Sequence, residues 1–157
     1  LSLPMETKDY GQSDTGPMTI LKNAIEQENL SRLSRVLETS VGYCGLVTQK
    51  GHSFEPAERS LSPVIKEIQK RGLGLVESSP DMTEDGVVKN NIWLDEDLRP
   101  TAIEGVFKVI EQKAHRDGHV VVLTHPYPAL LKQIKDWSDG LKDKNLQLAP
   151  LSYSAEQ

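Results

Sequence analysis

Basic clusters, cysteine pairs and long apolar runs are all missing from these 157 residues. The lone Cys44 excludes an internal disulfide and a cysteine-built zinc knuckle. It leaves the redox compartment open. Lys and Arg number 18 against 23 Asp and Glu, and the net charge of −5 carries no basic stripe. A nucleic-acid footprint is therefore not expected. No apolar run approaches the ~20 residues of a bilayer crossing, so no membrane segment is expected in this chain. Nor is there a secretory-type leader. The chain opens on Leu1, and "LSLP" reads as a strand already under way, the mark of a cut or processed piece.

What is present is an ordinary globular composition, 37% hydrophobic and 26% charged. After "LSLP" comes a turn-rich stretch with Gly11, Asp14, Gly16 and Pro17. Ile25, Leu30, Leu33, Val36 and Leu37 then recur at helical spacing. "YCGLV" reads as a strand. Leu61, Val64, Ile65 and Ile68 form the apolar face of a second helix, with Ser62 and Pro63 as its start and Gly72 as its stop. "LGLVES" is a strand, residues 79–90 a polar loop, and "NIWL" another strand. A third helix runs from Pro100 to Gly118 with Ile103, Val106, Phe107 and Ile110 inward. "HVVVLT" is a buried strand, "PALLKQIKDWSDGLKDK" a fourth helix, and "LQLAPLS" a last extended piece before the tail at 153–157.

Strand and helix alternate throughout, which predicts α/β architecture: parallel strands with outer helices, as an open sheet or a barrel. Both place a site at the carboxyl ends of the strands. The residues expected there are Glu6, Thr48, Gln49, Glu77, Ser78, Asp95, Thr124, His125, Tyr127, Ser152 and Tyr153. Carboxylates, an amide, hydroxyls and an imidazole on one rim suit a hydroxyl-rich ligand. Each alone is also what a turn or helix cap uses. His125, between Thr124 and Pro126 in "THPYP", leaves two readings open. It is a general acid or base, or a metal ligand, on a stiffened backbone, or a ring that bonds a nearby carbonyl.

Weaker signals point to structure. His115 and His119 have the i,i+4 spacing of a helical zinc pair, but Gly118 ends the helix between them. "NLS" at Asn29 matches a glycosylation acceptor inside a predicted helix. Lys142 to Lys144 read as a solvated helix end. No phosphate-cradling Gly-rich loop or Gly-x-Ser-x-Gly elbow occurs.

"LSLPME", "GLVTQKGHSF", "KRGLGLVES", "IWLDED", "THPYPALL" and "LQLAPLS" occur in the order and spacing of the divergent polysaccharide deacetylases, and the chain resembles that family from Leu1 to Ser152. This is a bacterial, envelope-associated branch of the NodB-like deacetylases. The resemblance implies a partial or distorted (β/α) barrel of NodB-like type, with residues 1–152 as one domain lacking the family's first strands. It also implies metal-dependent hydrolysis of N-acetylated sugars and an envelope or periplasmic setting. Departures are concentrated in the ligands. The family's Asp-Asp motif has no counterpart here. Its His-Leu-Pro-Met-Glu reads Ser2-Leu3-Pro4-Met5-Glu6, and its Asn-Asn-His-Met-Gly-Ser reads Val47-Thr48-Gln49-Lys50-Gly51-His52. Its Asp-Ser-Arg reads Glu77-Ser78-Ser79, while Gly-His-Pro-His-Pro survives as Thr124-His125-Pro126-Tyr127-Pro128.

Serine and glutamine are poor ligands for zinc, which takes three or four imidazole, thiolate or carboxylate donors. His52, three residues past Gln49, could swing in as a replacement ligand, but is expected to stay out in its loop. The expected function is a pseudoenzyme-like, glycan- or peptidoglycan-binding or scaffolding member with no metal of its own. Its binding set is Glu6, Thr48, Gln49, Glu77, Asp95 and Tyr127, and His125 is the residual catalytic group. The alternatives are an active deacetylase using zinc or another divalent ion on ligands upstream of Leu1, and a barrel fragment using Glu6 and Glu77 as a carboxylate pair. A sheet edge left open beside "LSLP" suggests a homodimer.

Overall fold

The computed structural model describes residues 1–11, 15–54, 59–79, 86–89 and 92–151. The chain divides into two compact units, Leu1–Lys89 and Asn90–Gln157.

The first unit is a four-stranded sheet of β1 (Ser2–Leu3), β2 (Gly45–Thr48), β3 (Gly74–Glu77) and β4 (Val88–Lys89), in that spatial order and parallel throughout. Helices α1 (Glu26–Glu38) and α2 (Ser62–Lys70) connect β1 to β2 and β2 to β3. Leu33, Val36 and Leu37 of α1 and Val64, Ile65 and Ile68 of α2 join Leu3, Leu46 and Leu75 of the sheet in one core. In α1, Glu26 and Glu28 in the first turn and Arg35 in the last complement the helix dipole. Ile25 departs from its expected place: it precedes the first turn and is 70% exposed. Its inward position is taken by Asn29, fully buried, whose amide accepts from Leu21 N and donates to Leu21 O. A side chain so committed offers no nitrogen to a glycan.

Helix α2 starts at Ser62 after Leu61, so Ser62 is the first helical residue and not the cap. It ends where Gly72 adopts φ 69° and Leu73 N donates to Ile68 O, a left-handed stop of the kind glycine permits. Between β2 and β3 the paired Gly45 and Gly74 lie so close that a Cβ on Gly45 would fall 2.4 Å from Gly74 O.

The second unit pairs β5 (Ile92–Trp93) with β6 (Val122–Leu123) in parallel, joined by α3 (Pro100–Asp117) and followed by α4 (Pro128–Asp139). Pro100 opens α3, and Gly118, left-handed, closes it. This leaves His115 and His119 on either side of the helix end, as the intervening Gly118 led one to expect. Ile103, Phe107 and Ile110 pack with Leu94 and Leu130. Phe107 stacks on Trp137 at 4.6 Å, tying α3 to α4.

Two expectations are corrected. The polar loop at 79–90 contributes β4, a two-residue edge strand. "LQLAPLS" forms no strand over residues 146–150, and Ser152 and Tyr153 lie outside the described residues. The predicted α/β class, parallel strands with helices, is the observed one. Among the described residues no closed barrel is formed, and no helix is long and apolar enough to cross a membrane.

Candidate functional site

At the carboxyl ends of β2 and β3, the chain turns a set of polar groups inward. Thr48 closes β2 and Glu77 closes β3, and both are buried, at 3% and 0% exposure. Thr48 Oγ1 donates to Glu77 Oε1 at 2.9 Å and accepts from Ser78 N at 2.8 Å. The same carboxylate oxygen accepts from Ser79 N at 2.7 Å and lies 2.7 Å from His52 Nε2. His52 is brought there by an antiparallel bridge to Thr7. Glu77 is thus a hub that joins two strand ends and the loop after β2. Its second oxygen, His52 Nδ1 and Thr7 Oγ1 are buried without a hydrogen-bond partner among the described residues.

Of the expected binding set, Thr48 and Glu77 come together as buried partners of each other. Gln49 turns its amide oxygen onto Met5 N at 3.1 Å, fastening the loop after β1. Glu6 accepts from Lys22 N through one carboxylate oxygen. In the suggested Glu6 and Glu77 carboxylate pair, Glu77 is 0% exposed. His52, assigned to a loop from the sequence, is a member of the hub. The only local signal was an imidazole three residues past a strand end.

In the second unit, Asp95 and His125 leave β5 and β6 side by side. Asp95 Oδ2 accepts from His125 N at 2.9 Å and lies 2.5 Å from His125 Nδ1. The Asp95 side chain is 3% exposed, whereas that of His125 is 61% exposed. Burial opposes ionisation of Asp95. The backbone N–H of His125, its ring hydrogen bond and its charge outweigh that penalty and hold the carboxyl below its usual range. Trp93 stacks on the imidazole at 5.7 Å, and Tyr127 tilts against it at 5.8 Å. With Nδ1 taken by Asp95, Nε2 is the ring nitrogen left for a ligand. The sequence-expected Asp95, His125 and Tyr127 thus form one surface, and Trp93 is the member that the rim reading missed.

The divalent ion implied by the resemblance finds a poor donor set in this chain. Ser2 offers an exposed hydroxyl, and the Gln49 oxygen is committed to Met5 N. Among the described residues, no three His, Cys, Asp or Glu side chains gather where an ion would need them. These residues do not fit a zinc-type site.

A solved structure of similar shape is that of an uncharacterized protein from Agrobacterium tumefaciens, with a TM-score of 0.88 and 23% identity. The match covers 98% of this chain and 66% of that one, so the chain spans just under two thirds of its neighbour's length. At that identity the likeness speaks for the fold. No curated protein matches the chain. The family described as divergent polysaccharide deacetylase matches residues 1–154, nearly the whole sequence. With parallel strands, intervening helices and a polar rim at the strand ends, this chain belongs to the divergent polysaccharide deacetylase family.

Proposed function

We propose that the chain is a carbohydrate-binding member of its family that does not hydrolyse its ligand through a metal of its own. It works in the bacterial envelope on a peptidoglycan-type sugar. The observation that carries this reading is the exposed His125 imidazole, fixed by Asp95 and flanked by Trp93 and Tyr127. Aromatic faces cover the apolar face of a pyranose, and a fixed imidazole nitrogen bonds a hydroxyl beside it. The donor positions of the first unit support the non-hydrolytic part, since Gln49 Oε1 and one oxygen of Glu77 are engaged in internal hydrogen bonds.

A second reading is favoured by the Asp95–His125 pair alone: a metal-dependent deacetylase of N-acetylated sugars whose ion is held by residues outside these 157. His125, oriented by Asp95, would then protonate the leaving amine.

Metal analysis of the dialysed protein, followed by calorimetry with soluble chitin- and peptidoglycan-type oligosaccharides, separates the two. Sugar binding without added metal, abolished by Trp93→Ala and His125→Ala, is the expected result. Stoichiometric zinc together with release of acetate would overturn it in favour of the deacetylase.

A further inference from the structure

Three stretches of chain leave the carboxyl ends of β1, β2 and β3, and side chains tie them to one another. Gln49, just past β2, accepts from Met5 N, just past β1. His52 reaches Glu77 at the end of β3 through Nε2, and its backbone pairs with Thr7 in an antiparallel bridge. Ser53 donates to Glu6 O through both its backbone N–H and its hydroxyl, at 2.8 and 3.0 Å. Thr48 Oγ1 accepts from Ser78 N. The Lys22 ammonium donates to Ser53 O at 3.0 Å, which sets a positive charge of the protein's own at the residue after His52. A structural ion ties separate loops together by drawing their side chains onto one centre. Here the loops are tied pairwise, donor to acceptor.

We propose that Gln49 and His52 brace the strand-end loops of the first unit in place of a metal ion, which makes the fold of this unit independent of divalent cations. Both are positioning residues. Gln49 stands where the family motif has histidine, and its amide oxygen suits a backbone N–H better than it suits zinc. His52 turns toward Glu77 an imidazole of the same chain, where a buried carboxylate would otherwise attract a cation. The misfit between this donor set and the ion implied by the resemblance is then a change in how the loops are held. The inference concerns the first unit and does not depend on what the second unit binds.

The test uses the full chain, dialysed against a chelator and then supplied with zinc or manganese in separate samples. The thermal unfolding midpoint should agree within about 1 °C in all three, whereas an ion at a hundredfold excess over its dissociation constant would raise it by roughly 5–10 °C. Hydrogen exchange at Met5 N and Ser79 N reads the bracing itself. In Gln49→Ala, Met5 N should exchange at least about tenfold faster, and Gln49→Glu, which keeps an oxygen for it, should retain the protection. In His52→Ala, Ser79 N should lose protection, and neither ion should restore it. A parent midpoint raised several degrees by either ion would overturn the proposal. Unchanged exchange in both alanine variants would overturn the bracing and leave the sugar-binding reading standing.

Discussion

His52 Nε2 lies 2.7 Å from Glu77 Oε1, and the two side chains are 1% and 0% exposed. Twenty-five residues separate them, so the bond fixes the loop after β2 against the end of β3. Loss of His52 removes one of three donors to Glu77 Oε1 and leaves Thr48 Oγ1 and Ser79 N in place, at a typical cost of about 1–3 kcal/mol. His52→Ala should lower the unfolding free energy from urea titration by that amount. Glu77→Gln, which retains an acceptor of the same size, should cost about 1 kcal/mol. A His52→Ala protein as stable as the parent would show that Thr48 and Ser79 N hold Glu77 unaided.

The pairing of Gly45 with Gly74 gives a second prediction with an internal control. A methyl on Gly45 would meet the Gly74 backbone carbonyl oxygen at 2.4 Å, and a Cβ fixed to its own backbone cannot swing aside. On Gly74 the nearest atom is Cys44 O at 3.8 Å, an ordinary contact. Gly45→Ala should therefore destabilise by roughly 1–3 kcal/mol as overpacking does. Gly74→Ala should stay within about 0.5 kcal/mol. Equal effects in thermal unfolding would contradict the close approach.

The helices were legible because their signals are local. Leu61, Val64, Ile65 and Ile68 keep a 3.6-residue period, and Gly72 and Gly118 stop their helices through left-handed backbone. Ile25 kept the same spacing yet lies outside the helix, since periodicity does not mark where the first turn begins. Leu146 and Leu148 alternate as a strand would, but Leu148 is 64% exposed and residues 146–150 join no strand among the described residues. Strand β4 has two residues, too few for any period. For the site, the rule that strand ends collect polar groups anticipated that Asp95, His125 and Tyr127 lie next to one another. It could not tell that Thr48 and Glu77 would be sealed inside, because burial there depends on His52 arriving from a separate loop.

Asn29 yields a third prediction. Its amide clips Leu21 from within α1 and is fully buried. Asn29→Ala should cost about 1–3 kcal/mol by orphaning the Leu21 backbone groups. Expression in a glycosylating host should leave this position unmodified, as intact mass would record. A glycan found there would require α1 to leave the core.

Glu111 offers a prediction with a pH signature. Its Oε1 accepts from Trp137 Nε1 at 2.8 Å and from Lys144 Nζ at 2.6 Å, so one carboxylate joins α3, α4 and the short helical turn at Lys142–Lys144. Burial works against its ionisation, but the Lys144 and Trp137 hydrogen bonds and the Lys144 charge prevail and hold its pKa below the ordinary 4.5. A carboxyl with a lowered folded-state pKa contributes stability that is complete above its unfolded value. That contribution is lost as the pH falls through 4.5 and past the lower folded value. Glu111→Gln keeps the acceptor for both donors and removes the charge. The parent should exceed the variant at pH 7 by about 0.5–1 kcal/mol, the scale of a partly exposed ion pair. The difference should stay flat down to about pH 5 and close below about pH 4, within the ordinary titration range of glutamate. Thermal unfolding of the two proteins across that range checks it. A difference that persists unchanged in acid would mean that the amide cannot replace the carboxylate geometrically, and that charge is not what Glu111 contributes.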